Sequence, residues 1–303
     1  MILADKITKK YNKTLILDSL TLEIPDGSIF GLVGANGAGK STLMRIICGV
    51  LRADCGTVTI DGEDILKKPS VKGRLAFVPD EPYFIKNADL NRMARLYEAV
   101  YPAFSKTRLF ELTSALNIDC SKKIDSFSKG MRRQAAIILA MSASPKYLIM
   151  DETFDGLDPA VRTAVRRLLF EDAALRGMSV IMTSHSLREL EDTCDRLALL
   201  HGGKIAFEGD THNIRTSLIK IQTAFDGDFG KDFFDGLEIL SFKKHGRVCE
   251  LIVRGDKEKI TETVRRRNPL FLELMPLSLE EVFIHETAAL GYSFDEGQTD
   301  ETK

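Results

Sequence analysis

The chain has 303 residues, 44% hydrophobic and 28% charged, with a formal net charge of −2. This is a globular composition, long enough for one large domain or a large and a small one, and it supplies no overall basic field that would draw in nucleic acid. Cys48, Cys55, Cys120, Cys194 and Cys249 are scattered without a Cys-x-x-Cys pair, as reduced thiols in a reducing compartment would be. The opening MILADKITKK lacks the apolar core of a signal peptide, and no apolar run approaches the ~20 residues that cross a bilayer.

The first thirty residues read as two β-like runs, MILADKITKKY and LILDSLTLEIP, closed by a PDG turn at 25–27. SIFGLVG (28–34) predicts a buried strand and STLMRIICGVL (41–51) a helix. Across their junction, GLVGANGAGKST (31–42) contains G-x-x-x-x-G-K-S as Gly34, Gly39, Lys40 and Ser41, with the strand before and the helix after that this pattern requires. Glycines let successive N–H groups curl around phosphate oxygens, and the helix N-terminus adds its dipole. Lys40 is expected at the β- and γ-phosphates of a nucleotide and Ser41 at Mg²⁺. Gly34, Asn36, Gly37, Gly39 and Thr42 complete the expected cofactor-binding set.

GTVTIDGED (56–64) predicts a hairpin turned at Asp61-Gly62 and returning to the first sheet, and RLAFVP (74–79) another strand. From 87 to 145 the apolar spacing becomes helical, in NRMARLYEAVY, KTRLFELTSAL and KGMRRQAAIILAM, which makes a helical block inserted between strands. KYLIMDE (146–152) then places Asp151 and Glu152 at the carboxyl end of a buried strand, where α/β sheets bind ligands. Asp151 is expected to hold Mg²⁺, directly or through water. Glu152 is expected to orient and deprotonate a water near the γ-phosphate. A helix follows in PAVRTAVRRLLFEDAAL, with Pro159 suited to its first turn. SVIMTSH puts His185 just after the next strand, within reach of the same phosphate. SLRELEDTCDR reads as a helix and RLALLHGGKIAFEGD as a last hairpin. The alternation implies a parallel sheet with helices on its faces.

After about residue 215 the pattern restarts. LIKIQTAF, LEILSFKK and RVCELIVR read as strands, DKEKITETVRRR as a helix, LFLELMP as a strand, and SLEEVFIHETA as a helix with the capping box Ser278 and Glu281. Residues 216–290 are therefore expected to form a small α+β accessory domain. The acidic end, 291–303, is expected to be disordered.

Taken in order, the phosphate loop, the Asp-Glu strand and DSFSKGMRRQ (125–134) resemble the ATPase subunits of ATP-binding cassette (ABC) transporters over about residues 1–215. FSKGM (127–131) is similar to that family's signature, usually LSGGQ, with Lys129 replacing its first Gly and Met131 its Gln. The resemblance implies an α/β P-loop core with an antiparallel β subdomain and an inserted helical subdomain. It implies ATP and Mg²⁺ as cofactors, and two ATPase domains meeting head to tail. Ser128 and the N–H of Gly130 would then bind the γ-phosphate of the partner's ATP. Tyr11 resembles the aromatic that stacks on adenine, and GLDP (156–159) the loop crossing the dimer interface, with Asp158 as its acid. FVPDEP (77–82) stands in the place of the glutamine loop, and Asp80, where Gln is usual, is expected to reach the metal through water. The overall style is that of a bacterial exporter subunit with one cassette per chain. Its implied partners are an integral membrane subunit on a separate chain and a second ATPase domain, identical or different. Its implied place is cytoplasmic, peripheral at the inner face of the membrane, with no nucleic acid bound. A soluble cassette protein acting on ribosomes or DNA is the rival reading, but such proteins typically carry two cassettes, long coiled coils or zinc cysteines. A non-hydrolysing regulator is a third, against which the intact Glu152 argues.

Overall fold

The computed structural model describes residues 1–227 and 229–289, so the tail expected at 291–303 lies outside the described residues. β1 (Ile2–Tyr11) and β2 (Thr14–Ile24) fold back on each other, with Tyr11 opposite Thr14. Inward-facing Ile2 and Ala4 are fully buried, and so is Ile7. The phase of the alternation shifts because the pairing slips between Ala4 and Ile7, where Lys6 takes a φ of +51°. An extra residue in one strand moves every later side chain to the other face.

β3 (Ile29–Val33) leads through the phosphate loop into α1 (Lys40–Ile47). β4 (Cys55–Ile60) runs antiparallel to β1 and turns at Asp61-Gly62, both with positive φ, into β5 (Glu63–Asp64). These strands make one sheet, ordered β2-β1-β4-β5. The second sheet takes β3, β6 (Leu75–Val78), β7 (Tyr147–Asp151), β8 (Ser179–Ser184), β9 (Arg196–His201) and β10 (Lys204–Asp210), in the order β10-β9-β3-β8-β7-β6. The pairs β3–β8, β3–β9, β6–β7 and β7–β8 are all parallel. Every residue of β3, β7 and β8 is buried, the pattern of a sheet covered on both faces.

Between β6 and β7 stand α2 (Leu90–Val100), α3 (Lys106–Ala115) and α4 (Lys129–Ser142), capped by the side chains of Asp89, Ser105 and Ser128. α4 lies against α2, α3 and β6. From Arg133 to Ser142 it is buried on all sides, which its alanines permit. α5 (Pro159–Arg176) starts on Asp158 and ends at Gly177 in the left-handed region. α6 (Leu187–Glu191) is shorter than SLRELEDTCDR suggested. The reason is Asp195, whose backbone N–H and carboxylate both pair with Ile29, at 3.0 Å each, and draw the chain into the sheet.

The chain divides into two units, Met1–Glu208 and the part from Gly209 onward, whereas the sequence placed the division near 215. The second unit holds α7 (Thr211–Ser217), which the sequence reading did not foresee, and an antiparallel sheet, β12-β13-β11-β14. Its strands are β11 (Leu218–Ala224), β12 (Glu238–His245), β13 (Val248–Arg254) and β14 (Phe271–Met275). α8 (Lys257–Arg265) adds Ile260 and Val264 to a core of Ile221, Leu251, Val253, Phe225, Phe229 and Phe234. α9 (Leu279–Ala289) begins with the Ser278–Glu281 box, the Glu281 carboxylate accepting the Ser278 N–H at 3.0 Å.

At the start of β7 a polar knot ties the two sheets of the first unit together. The hydroxyl of fully buried Tyr147 lies 2.6 Å from both Asp26 and Asp61. Lys146 and Arg74 reach Asp61 at 2.6 and 2.9 Å. Burial pushes the Asp61 carboxyl up, but hydrogen bonds from Lys146, Tyr147 and the N-terminal ammonium outweigh it and hold the group well below the usual range. A carboxylate held low when folded adds stability above its unfolded pKa, about 4. That contribution disappears as pH falls through the folded value. Asp61→Asn should therefore lower stability at pH 7 and flatten the loss of stability below pH ~4, as followed by denaturant unfolding from pH 7 to pH 2. An acid limb as steep as that of the unaltered chain would remove Asp61 as its source.

Candidate active site

Residues 34–39 leave β3 as a loop and enter α1 at Lys40. Glycine is required at two of these positions. A Cβ at Gly34 would stand 2.6 Å from the Leu200 carbonyl oxygen, and Gly39 has a φ of +106°, with a Cβ 2.9 Å from the Leu17 side chain. Gly39 caps α1 without a side chain, so no side-chain oxygen caps the first-turn N–H groups. An uncapped helix N-terminus behind a curled glycine loop suits a phosphate. Asn36 and Gly37 form the exposed crest of the loop, and Ser41 and Thr42 lie half-buried in the first turn.

Lys40 is only 4% exposed. Its ammonium donates to the carbonyls of Gly34 and Ala35 at 2.7 and 3.3 Å and lies 3.1 Å from Glu152 Oε1. Every partner of this buried cation thus belongs to the phosphate loop or to the acidic strand end.

α1 lies against β7, which brings the turn of Ser41 to the strand that ends in Asp151. Asp151 is buried, and the β7–β8 register sets it opposite Thr183. The Thr183 hydroxyl donates to Asp151 Oδ1 at 2.7 Å and accepts the Glu152 N–H at 2.9 Å. Glu152 sits in the left-handed region at φ +46°, a conformation that costs a non-glycine residue about 1–3 kcal/mol. The Glu152 carboxylate meets Lys40, while that of Asp151 meets Thr183. His185 Nδ1 is 3.4 Å from Asp155 Oδ2, and the ligand atoms of Glu152, Asp155 and His185 lie within 4.8 Å of one another. The structure therefore brings Lys40, Asp151, Glu152 and His185 to one place.

Other expected residues sit apart from this cluster or are already engaged. Ser128 caps α4 by accepting the Met131 N–H at 3.2 Å, and Asp158 caps α5 by accepting the Val161 N–H at 3.0 Å; both residues are exposed. Their turns are neighbours, since a Cβ at Gly130 would meet the Gly156 carbonyl oxygen at 2.9 Å. Tyr11 is 44% exposed at the end of β1, with the Lys9 ammonium 5.8 Å from its ring centre. The Asp80 carboxylate, expected at the metal, is paired with the Arg133 guanidinium.

Four residues of this region were not singled out from the sequence. Thr183 and Arg133 are two of them. The others are Arg162, 3.1 Å from Glu189, and Glu189 itself, which accepts the Ser184 hydroxyl at 2.8 Å. Thr183 and Arg133 each left a signal: a hydroxyl inside the apolar run SVIMTS, and a charge separated from AAIILAM by Gln134 alone.

Over 284 residues the chain is 31% identical to the ABC transporter ATP-binding protein YtrB of Bacillus subtilis (strain 168), covering 94% of this chain and 97% of that protein. It belongs to the ATP-binding proteins of ABC transporters. The ABC transporter family profile matches residues 17–155 of this subunit. The Nod factor export ATP-binding protein I of Rhizobium etli is 30% identical over 301 residues, 93% of this chain and 91% of that one. A solved ATP-binding subunit of an ABC transporter superposes with a TM-score of 0.66 at 28% identity, over 71% of this chain and 92% of its own. An ABC cassette binds and hydrolyses ATP, and this chain carries one cassette, on an α/β core of parallel and antiparallel sheets. Among the described residues, no helix is long and apolar enough to cross a membrane.

Thr183 holds both acidic residues with a single hydroxyl. Thr183→Val keeps the shape but leaves the Glu152 N–H without its acceptor, at a cost of about 1–3 kcal/mol. ATP turnover is expected to fall about tenfold or more while affinity for a fluorescent ATP analogue stays close to that of the unaltered subunit. Equal losses in both measurements would show that the hydroxyl serves binding instead.

Proposed function

We propose that this subunit powers export through a membrane-spanning partner on a separate chain, by hydrolysing MgATP between two cassettes. The observation that carries the reading is the convergence of Lys40, from the start of α1, with Glu152 and His185, from the ends of β7 and β8, beside the phosphate loop. The relative named for Nod factor export supports the direction, and the one named for bacitracin transport supports transport as the task.

In this reading the curled loop from Gly34 to Gly39 and the N–H groups of Lys40, Ser41 and Thr42 bind the phosphates, with Asn36 and Gly37 at the crest. Lys40 exchanges its two loop carbonyls and Glu152 for phosphate oxygens, which leaves the Glu152 carboxylate free to accept a proton from water. The Ser41 hydroxyl and the Asp151 carboxylate are a hard-oxygen pair that fits Mg²⁺. When bound, Mg²⁺ neutralises charge on the phosphates and orients them. Asp80 can add to that set only by releasing Arg133. His185, steadied by Asp155, faces the γ-phosphate. Tyr11 offers an exposed ring for adenine. Ser128, Gly130 and Asp158 present helix N-termini to the nucleotide of a second cassette, whether a copy of this chain or a different one. The helical block 87–145 receives the membrane subunit, which places the protein at the inner face of the membrane. The unit from Gly209 onward acts as an accessory, adding contact between the paired subunits.

Glu152→Gln should keep ATP affinity, lower turnover by about 10²–10⁴-fold, and accumulate an ATP-dependent dimer in light scattering. Undiminished turnover would remove Glu152 from the base role. Ser128→Arg should abolish that dimer and leave nucleotide binding nearly intact. A tagged Glu152→Gln subunit drawn with ATP from gently solubilised native membranes should retain a stoichiometric multi-span protein. Ribosomal or DNA-bound proteins in its place would overturn the transport reading.

A further inference from the structure

Arg133 lies one turn past Ser128 on α4 and is 2% exposed. Its Nη2 pairs with the Asp80 carboxylate, and its Nε donates to the Asp80 carbonyl oxygen at 3.3 Å. The remaining Nη1 is buried with no hydrogen-bond partner among the described residues. It is also the atom that a Cβ at Gly156 would meet, at 3.3 Å. On the other side of that turn, the Gly156 carbonyl approaches Gly130 so closely that a Cβ there would stand 2.9 Å from it. One guanidinium therefore lies among three segments far apart in sequence: the 79–82 loop after β6, the signature turn, and the 155–158 loop after Glu152.

A planar guanidinium can hold two acceptors in one fixed plane and present a further donor, whereas an ammonium has no such plane and an amide only two N–H donors. Asp80 supplies the negative charge that a buried cation needs. The half-exposed carboxylate at 80 thus has a purpose on this chain that requires no metal.

We propose that Arg133 is a positioning residue for ATP hydrolysis, clamping the 79–82 loop to the signature helix through Asp80 and bracing the Gly156 turn beside both. Asp80 then serves the reaction through Arg133 and not by entering the coordination of Mg²⁺. The pair keeps the segment that follows β6 in register with the two turns that face a second cassette, so loosening it disturbs the alignment of attacking water and phosphate without touching nucleotide affinity. This rests on the ATPase reading of the site given above.

The test is steady-state ATPase kinetics on the full chain for Asp80→Asn, Asp80→Glu, Arg133→Gln and the double variant Asp80→Asn/Arg133→Gln, each with an Mg²⁺ titration and a thermal unfolding curve. Asp80→Asn should lower kcat about tenfold, while KM for MgATP and the Mg²⁺ concentration for half-maximal rate move by less than about twofold. Asp80→Glu, which keeps the charge, should recover most of the rate. The double variant should be no slower than the slower single one, because both remove the same contact. A several-fold rise in the Mg²⁺ requirement of Asp80→Asn, with kcat restored at saturation, would make Asp80 a metal ligand and overturn the proposal. Rate losses that multiply in the double variant, or an unchanged kcat in Asp80→Asn, would also overturn it. If Arg133→Gln does not fold, Asp80→Asn against Asp80→Glu with the Mg²⁺ titration decides alone. An unaltered chain that binds ATP but does not turn it over would sink the ATPase reading and this proposal together. A chain that turns over ATP but is indifferent to Asp80→Asn sinks only the latter.

Discussion

A buried ammonium group governs this site. Removing a lysine charge from water is costly unless oxygens surround it, and Lys40 finds the carbonyls of Gly34 and Ala35 and the carboxylate of Glu152. The loop must curl tightly to offer those carbonyls, which is why Gly34 and Gly39 leave no room for a side chain. The acidic strand end must turn toward the loop, which is why Glu152 adopts a left-handed backbone. Phosphate oxygens satisfy the same cation equally well. Under the proposed roles, occupying the loop and releasing the Glu152 carboxylate become one electrostatic exchange.

That exchange needs a fixed frame, and the parallel sheet supplies it. β3, β7 and β8 are buried throughout, so a slip of one residue would exchange their side chains between two closely packed faces and disrupt the packing on both. The register sets Thr183 opposite Asp151, and one hydroxyl then holds both acidic residues at different angles. Asp151 is kept in the sheet by that bond. Glu152, one residue further on, is outside the ladder and free to point at Lys40.

The helical block shows the same economy with a cation of the opposite kind of use. Arg133 is buried because α4 is buried on all sides there, and the helix tolerates it because Asp80 reaches in from the end of β6. Gly130 and Gly156 let the backbones close around the guanidinium. In the unit from Gly209 onward, by contrast, the buried side chains are mainly aliphatic and phenylalanine, and the pair Arg254 and Glu286 joins β13 to α9.

The sequence alone determined what depends on neighbours along the chain. Strand and helix periods, the Asp61-Gly62 turn, the Pro159 helix start and the glycine loop before Lys40 are all local, and local spacing carries them. The motif order was also enough to identify the likeness to ABC ATPases, because each motif is a few consecutive residues. Tertiary structure decided the rest. The early end of α6 follows from Asp195 pairing with Ile29, and the phase shift in β1 from a slip against β2. Thr183 became part of the site only through register. The resemblance to the glutamine loop implies a metal role for Asp80, but the structure gives its carboxylate to Arg133, 53 residues away in the chain. Periodicity says which face of an element is buried, but the partner of a charge is chosen by folding, which brings distant residues together to neutralise what burial has removed from water.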